Sequence, residues 1–254
     1  MDLNLISGAV FFAVSFVAAA INSVAGGGTF LTFPVFILNG LTSSQANIMS
    51  TIALWPGVLA SGYGYRREFG TQKKLLLPFL IIGGIFGGVG ALLFLNTPEL
   101  VFTRMVPWLL LVATLIFTFG RHGITFLHGE NVPPRLRMAL ALLLQIAIAI
   151  YGGYFGAGIG ILTLAMFQVM GLTRIHQMNA LKTILTGAIN FVTALIFVFS
   201  GKVLWSLALV MVAGGISGGY VGARLALKLP PVYVRRLVSA VGFSMTAYFF
   251  LRGA

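Results

Sequence analysis

The sequence predicts an all-α integral membrane protein, and its composition and the distribution of its apolar runs carry that prediction. Hydrophobic residues make up 59% of the 254 residues and charged residues only 8%, and the mean hydropathy is +1.02. A soluble protein of this composition could not cover its surface with polar groups. Apolar runs long enough to cross a bilayer recur along the whole chain.

Ten apolar segments divide the chain, and each predicts a helix. They cover residues 5–23, 27–39, 46–65, 75–95, 105–119, 138–154, 157–171, 178–199, 204–227 and 237–251. The first two segments of each set of five are the short ones. At about 1.5 Å per residue, a helix of about 13 to 17 residues falls short of a hydrocarbon core of about 30 Å. Each half is therefore expected to open with a helical hairpin that is broken within the membrane.

Positive charges are concentrated in three of the loops between these segments. These loops are "RREFGTQKK" (66–74), "RHGITFLHGENVPPRLR" (121–137) and "KLPPVYVRR" (228–236). The loops at 95–105 and 199–204 hold one basic residue each. By the positive-inside rule the three rich loops are cytoplasmic, and both chain termini then lie outside the cytoplasmic (inner) membrane. The net charge of +12 is explained by this orientation, and no nucleic-acid partner is expected.

The chain contains an internal repeat at an offset of 131 to 132 residues. "NGLTSSQANIMSTIA" (39–53) matches "MGLTRIHQMNALKTIL" (170–185), and "GGIFGGVGA" (83–91) matches "GGISGGYVGA" (214–223). The basic loop of one half corresponds to a weakly charged loop of the other, so the two halves are expected to have opposite orientations. Inverted repeats of this kind are typical of secondary transporters.

The repeat divides the chain into two membrane units and a linker. Residues 1–120 form the first transmembrane repeat, 121–137 a cytoplasmic linker and 138–254 the second repeat. Each repeat is expected to hold a broken helical hairpin followed by three transmembrane helices. The protein then has eight to ten membrane segments, depending on whether each hairpin is counted as one or two.

Glycine runs mark the predicted breaks, at Gly26-Gly27-Gly28 and within "YGGYFGAGIG" (151–160). A helix that restarts inside the membrane exposes N–H groups and a partial positive charge, which favours an anion. The candidate donors are the N–H groups around Gly27, Gly28, Thr29, Gly158, Ile159 and Gly160. The glycines at 83–91 and 214–223 lie within segments, where close helix packing is the favoured explanation.

Polar side chains at matching places of the two halves extend this candidate site. Asn47 and Thr51 recur as Asn179 and Thr183, each pair four residues apart on one helix face. Lys182 lies about one turn inside a segment, either as a site residue or extending to the cytoplasmic interface. Asn22 and Asn190 are weaker candidates. All four acidic residues lie at the ends or in loops: Asp2, Glu68, Glu99 and Glu130.

Enzymatic and cofactor-dependent functions find no support in the sequence. The chain has no cysteine, and it shows neither metal-ligand spacing nor a nucleotide-binding motif. "GISG" (215–218) matches a motif of intramembrane serine proteases, but no base is expected near Ser217. We expect neither an enzyme nor a bound cofactor.

Two long stretches resemble the TauE/SafE family of sulfite and organosulfonate exporters. They are "AAAINSVAGGGTFLTFPVFILNGLTSSQAN" and "YGGYFGAGIGILTLAMFQVMGLTRIHQMNALKT", and the duplicated arrangement extends the resemblance over nearly the whole chain. The resemblance implies a secondary transporter that exports a small sulfur-containing anion. An anion channel of the same architecture and a non-transporting assembly subunit are the alternatives. The expected partners are the anion and the lipid bilayer, and a homo-oligomer stays open.

Overall fold

The computed structural model describes residues 5–68, 76–124, 133–226 and 231–251, and these residues form ten α-helices. Each helix coincides with one predicted segment. The helices are α1 (Leu5–Ala25), α2 (Thr29–Leu38), α3 (Ser43–Gly64), α4 (Leu77–Leu95), α5 (Glu99–Ile124), α6 (Pro134–Tyr154), α7 (Ile159–Val169), α8 (Ile175–Phe199), α9 (Trp205–Ala226) and α10 (Pro231–Leu251). The all-α membrane fold is confirmed. Residues 125–132 of the predicted linker lie outside the described residues, and its two ends belong to α5 and α6.

Among the described residues, six helices are long and apolar enough to cross a bilayer, namely α1, α4, α5, α6, α8 and α9. The prediction that α1 and α6 are short is wrong, because each has 21 residues and is about 31 Å long. Each hairpin is therefore a full-length helix followed by a half-length one, α2 or α7. The helix α3 has 22 residues but is not among the six, since it carries Asn47, Ser50, Thr51 and Ser61.

One turn of the backbone recurs at the offset of the predicted repeat. Both half-length helices are followed by a glycine in the left-handed conformation, Gly40 with φ of +85° and Gly171 with φ of +87°. The residue after each glycine donates its amide to a carbonyl five residues earlier, at 3.1 Å for Leu41 and 3.0 Å for Leu172. These are the same helix-ending turns, 131 residues apart.

The helices of the two halves are interleaved. The glycine-rich helix of the first half, α4, packs against α6 and α8 of the second half. Its counterpart α9 packs against α1 and α3 of the first half. The central pair α3 and α8 and the outer pair α5 and α10 join equivalent helices. An approximate two-fold relation between the repeats would produce this pairing of helices. The opposite orientation of the two halves across the membrane stays a prediction.

Close packing against backbone explains Gly90 in the first stretch and the glycines at 214–223, as predicted. A Cβ atom on Gly90 would collide with the carbonyl oxygen of Ile150 in α6. A Cβ atom on Gly215 or Gly219 would collide with the backbone of α3, at Ala53 and Gly57 respectively. The obstacle is backbone in each case, so the helices could not remain at their present separation.

Gly219→Ala is expected to destabilise the fold, because the added methyl group would press on the carbonyl of Gly57. Overpacking of this kind costs about 1–3 kcal/mol. Thermal unfolding in detergent, followed by size-exclusion chromatography, measures the loss. Gly84→Ala is the matched control, since a Cβ there lies 3.6 Å from Val192 Cγ2. Equal melting temperatures for the two variants would contradict the packing argument.

Cysteine labelling tests the predicted orientation, because the chain has no native cysteine. Asn96→Cys in the turn after α4 is expected to react with an impermeant maleimide in intact cells. Glu68→Cys, in the basic loop after α3, is expected to react only after the membrane is opened. The reverse pattern would place the basic loop outside and overturn the orientation.

Candidate functional site

A polar cavity of about 30 Å³ lies between the two helix breaks, with α3 and α8 forming its walls. Polar side chains supply most of its lining: Asn22, Ser23, Thr29, Ser50, Thr51, Ser61, Lys182, Thr183, Thr186 and Asn190. The remaining lining residues are Gly26, Leu54, Val58, Gly156, Ile159 and Gly160. The cavity thus joins the ends of both hairpins with the two helices that are equivalent in the repeats.

The two breaks touch through their glycines. A Cβ atom on Gly26 would lie 2.6 Å from Cα of Gly160, and a Cβ on Gly160 would lie 2.6 Å from Cα of Gly26. Gly26 also has a φ of +81°, a conformation that residues with side chains rarely adopt. Any larger residue at this contact would force the two hairpins apart.

Part of the predicted set of N–H donors is used inside the hairpins. The amide of Gly28 donates to Asn22 Oδ1 at 3.5 Å, and the amide of Ile159 donates to the carbonyl of Gly156 at 3.4 Å. Thr29 and Gly160 line the cavity within the first turns of α2 and α7. The N–H groups of a first turn have no partner within their own helix, so these two positions best fit the predicted role.

Lys182 is the basic residue in the lining of the cavity. Its side chain is 2% exposed, so it does not extend to the interface. Its Nζ donates to the carbonyls of Ser23 at 3.1 Å and of Asn22 at 3.3 Å, in the last turn of α1. The ammonium group has three donors, and these contacts use two. The partial negative charge of this helix end offsets part of the positive charge.

Carboxylates do not neutralise this charge within the described part of the chain. Glu68 and Glu99 are the acidic residues in the described ranges, and neither lines the cavity. A buried charge is costly unless it is paired. The arrangement therefore favours an anionic ligand next to Lys182.

The end of α6 is held in a similar way by the first half. Asn47 Nδ2 donates to the carbonyl of Tyr154, the last residue of α6, at 2.9 Å. Asn47 and Asn179 are buried, and the side-chain oxygen of each has no hydrogen-bond partner among the described residues. Neither asparagine lines the cavity, so Asn47 acts through the backbone of the opposite hairpin.

The structure brings together seven of the twelve predicted site residues. The residues that line the cavity are Asn22, Thr29, Thr51, Ile159, Gly160, Lys182 and Thr183. Those outside its lining are Gly27, Gly28, Asn47, Gly158 and Asn179. The Cβ position of Gly28 lies against the carbonyl of Ala18 in α1, and that of Gly158 lies near Ala113 and Phe30. These two glycines are therefore packed against other helices and not against the cavity.

Several lining residues were not predicted, although their helical spacing from predicted residues or from one another places them on the face that lines the cavity. Thr186 lies one turn after Lys182, on the same face of α8. Ser50 and Ser61 lie on the face of α3 that also carries Leu54 and Val58. Ser50 is the repeat equivalent of Lys182 at an offset of 132 residues, so the duplication itself pointed to it.

The family described as sulfite exporter TauE/SafE matches residues 11–249 of this sequence. The chain belongs to the TauE/SafE family. This membership confirms the resemblance found in the sequence and places the chain among membrane transporters rather than enzymes.

Curated relatives of similar length carry the same general description. The chain is 28% identical to a probable membrane transporter protein of Haemophilus influenzae, over 97% of this chain and 96% of the relative. It is 29% identical to a probable membrane transporter protein, ORF9, of Sinorhizobium sp., over 93% and 90% respectively. It is 27% identical to the probable membrane transporter protein YfcA of Escherichia coli K12, over 96% and 89%. No solved structure matches the chain.

Two variants are expected to differ in what they weaken: Asn47→Ala the stability of the fold, and Thr51→Val the binding of substrate. Asn47→Ala removes the donor to the Tyr154 carbonyl, which is expected to cost about 1–3 kcal/mol of stability. Thr51→Val removes a cavity-lining hydroxyl whose bond is made to Asn47 within the same helix, so it is expected to weaken anion binding more than stability. Melting temperature and transport KM check the pair. A larger rise in KM for Asn47→Ala would contradict this assignment.

Proposed function

We propose that this chain is a secondary transporter that exports a small sulfur-containing anion, such as sulfite or an organosulfonate, across the cytoplasmic membrane. The family description names sulfite, whereas the curated relatives carry only a general transporter name. The choice of an anion therefore rests on the chemistry of the cavity. The orientation proposed with it has both termini outside and the basic loops inside.

The observation that carries this proposal is the buried position of Lys182 in the cavity. Among the cavity-lining residues it is the charged one, and the others offer hydroxyl, amide and backbone groups. The hydroxyls of Thr51, Thr183 and Thr186 donate to carbonyls one turn earlier in their own helices, so they would turn to an oxyanion only by giving up those bonds. A cation would meet the ammonium group of Lys182 and would gain no carboxylate in return.

In the described conformation the cavity is too small for sulfite. About 30 Å³ leaves room for roughly two water molecules. Sulfite, with one sulfur and three oxygen atoms, is larger than two water molecules. The hairpins must therefore separate before the anion can be fully bound. The contact of Gly26 with Gly160 is the part of the wall that such a movement would open.

Export follows from the charge of the substrate. An interior-negative membrane potential favours the outward movement of an anion by about 2.3 kcal/mol per charge per 100 mV. Coupling to a cation through a buried carboxylate would need a residue that the described cavity lining does not contain. Proton-coupled uptake through His176 is the alternative to uncoupled export, and His176 is exposed at the start of α8.

Sulfite efflux from proteoliposomes tests the proposal, with wild type compared with Lys182→Met. The substitution keeps an apolar stem of similar length and removes the ammonium group together with its hydrogen bonds to Asn22 and Ser23, so the melting temperature is measured beside KM. A hydrogen bond to a charged group contributes about 1.5–3 kcal/mol, so KM is expected to rise about 10- to 150-fold. Lys202→Met is the matched control, because Lys202 is exposed in the turn between α8 and α9.

The form of the flux distinguishes the alternatives. A carrier gives saturable efflux and counterflow, an anion channel gives neither, and an assembly subunit moves no anion when purified alone. Unchanged kinetics in Lys182→Met would show that the anion does not bind in this cavity. An equal loss in Lys202→Met would show that only the overall charge matters.

A further inference from the structure

Lys182 shares each of its two carbonyl partners with another donor. The carbonyl of Asn22 also accepts a hydrogen bond from the amide of Gly26, at 2.9 Å. The carbonyl of Ser23 also accepts one from the hydroxyl of Tyr65, at 3.2 Å. A carbonyl oxygen has two lone pairs and can accept two hydrogen bonds. Lys182 could therefore leave both carbonyls, and each would keep one partner inside the membrane.

The side chain of Tyr65 is enclosed by protein, although the residue lies where α3 ends. Its exposed fraction is 0%, and its hydroxyl reaches back across the bundle to α1. Ser23 lies in the last turn of α1, where a carbonyl has no amide partner within its own helix. A backbone group left unpaired at this depth is costly. Tyr65 thus supplies the Ser23 carbonyl with a partner that does not depend on Lys182.

The side chain of Lys182 lies beside the contact between the two hairpins. A Cβ atom on Gly160 would lie 3.3 Å from Cδ of Lys182, and the ammonium group reaches the end of α1 next to Gly26. Its two hydrogen bonds therefore tie α8, and with it α7, which packs on α8, to the first hairpin. Separation of Gly26 from Gly160 has to break these bonds, and the buried ammonium group then needs a new partner.

We infer that Tyr65 is a positioning residue for anion binding, because it holds the Ser23 carbonyl and so allows the ammonium group of Lys182 to turn from α1 to the anion. This inference rests on the proposed function. The anion replaces the two carbonyls as the partner of Lys182, while Gly26 and Tyr65 keep those carbonyls paired.

The redundancy of the donors supports this role. As long as Lys182 stays on α1, the Ser23 carbonyl has a partner without Tyr65, so the hydroxyl matters most once the lysine has left. Without that hydroxyl, the lysine could turn to an anion only by leaving the Ser23 carbonyl unpaired. Anion binding would then carry the cost of a buried, unsatisfied acceptor.

Sulfite efflux by Tyr65→Phe tests the inference, because the substitution keeps the buried ring and removes only the hydroxyl. KM in proteoliposomes is expected to rise about 5- to 150-fold, the equivalent of one unsatisfied buried carbonyl. The maximal rate is expected to stay close to that of the wild type. Tyr63→Phe is the matched control, since it makes the same change two residues earlier, on a ring that is 60% exposed. It is expected to keep the wild-type KM.

A double-mutant cycle with Lys182→Met distinguishes positioning from a structural role. In Lys182→Met no ammonium group has to leave α1, so adding Tyr65→Phe is expected to leave KM unchanged. Melting temperatures form a second cycle, which needs no transport. Each single variant leaves the Ser23 carbonyl one of its two described donors, and the double variant removes both. The loss for the double variant is therefore expected to exceed the sum of the single losses.

Two outcomes would overturn the inference. The first is a wild-type KM in Tyr65→Phe. The second is an equal rise in KM from Tyr65→Phe with and without Lys182, which would show that the tyrosine acts only on the fold. If Lys182→Met carries no measurable flux, the melting temperatures decide, and additive losses reject the inference. Failure of the proposed function looks different: the wild type would move no sulfite, and the inference would fall with it whatever the melting temperatures show.

Discussion

Two helices end inside the bundle, and the rest of the structure depends on how their last carbonyl groups are satisfied. In a membrane, an unpaired backbone group costs several kcal/mol. The carbonyls at the end of α1 accept hydrogen bonds from Lys182 of the second half. The carbonyl of Tyr154 at the end of α6 accepts one from Asn47 of the first half. Neither hairpin is therefore complete without the opposite repeat, and the cavity lies where these contacts meet.

The two halves share a scaffold but differ in chemistry. Ser50 and Lys182 occupy equivalent positions of the repeat, yet one is neutral and the other is basic. The hydroxyl of Ser50 accepts a hydrogen bond from Thr32 of the neighbouring hairpin at 2.9 Å, whereas Lys182 reaches across to α1. The duplication thus supplies two similar walls, and a single position gives the space between them its positive charge. An approximately symmetric frame can in this way carry a single basic side chain.

Much of the fold could be predicted from the sequence, because apolar runs and glycine spacing are local signals. The ten helices and the role of the packing glycines were predicted. The packing of α4 against the second half and of α9 against the first half was not predicted, since a single sequence does not show which distant helices are in contact. For the same reason only part of the cavity lining was predicted. A rotation of less than one turn decides whether Asn47 or Ser50 faces the cavity, and backbone angles decide which of three consecutive glycines meets Gly160.

The interleaved packing has a consequence for synthesis of the protein. The helix α1 ends at Ala25 and its main partner α9 begins at Trp205, so about 180 residues separate them. At about 5–20 residues per second, the ribosome needs roughly 10 to 40 seconds to deliver that partner. During this interval the small-residue faces of α1 and α3 must wait in the insertion machinery or against lipid. The first half is thus synthesised well before the surface that completes it.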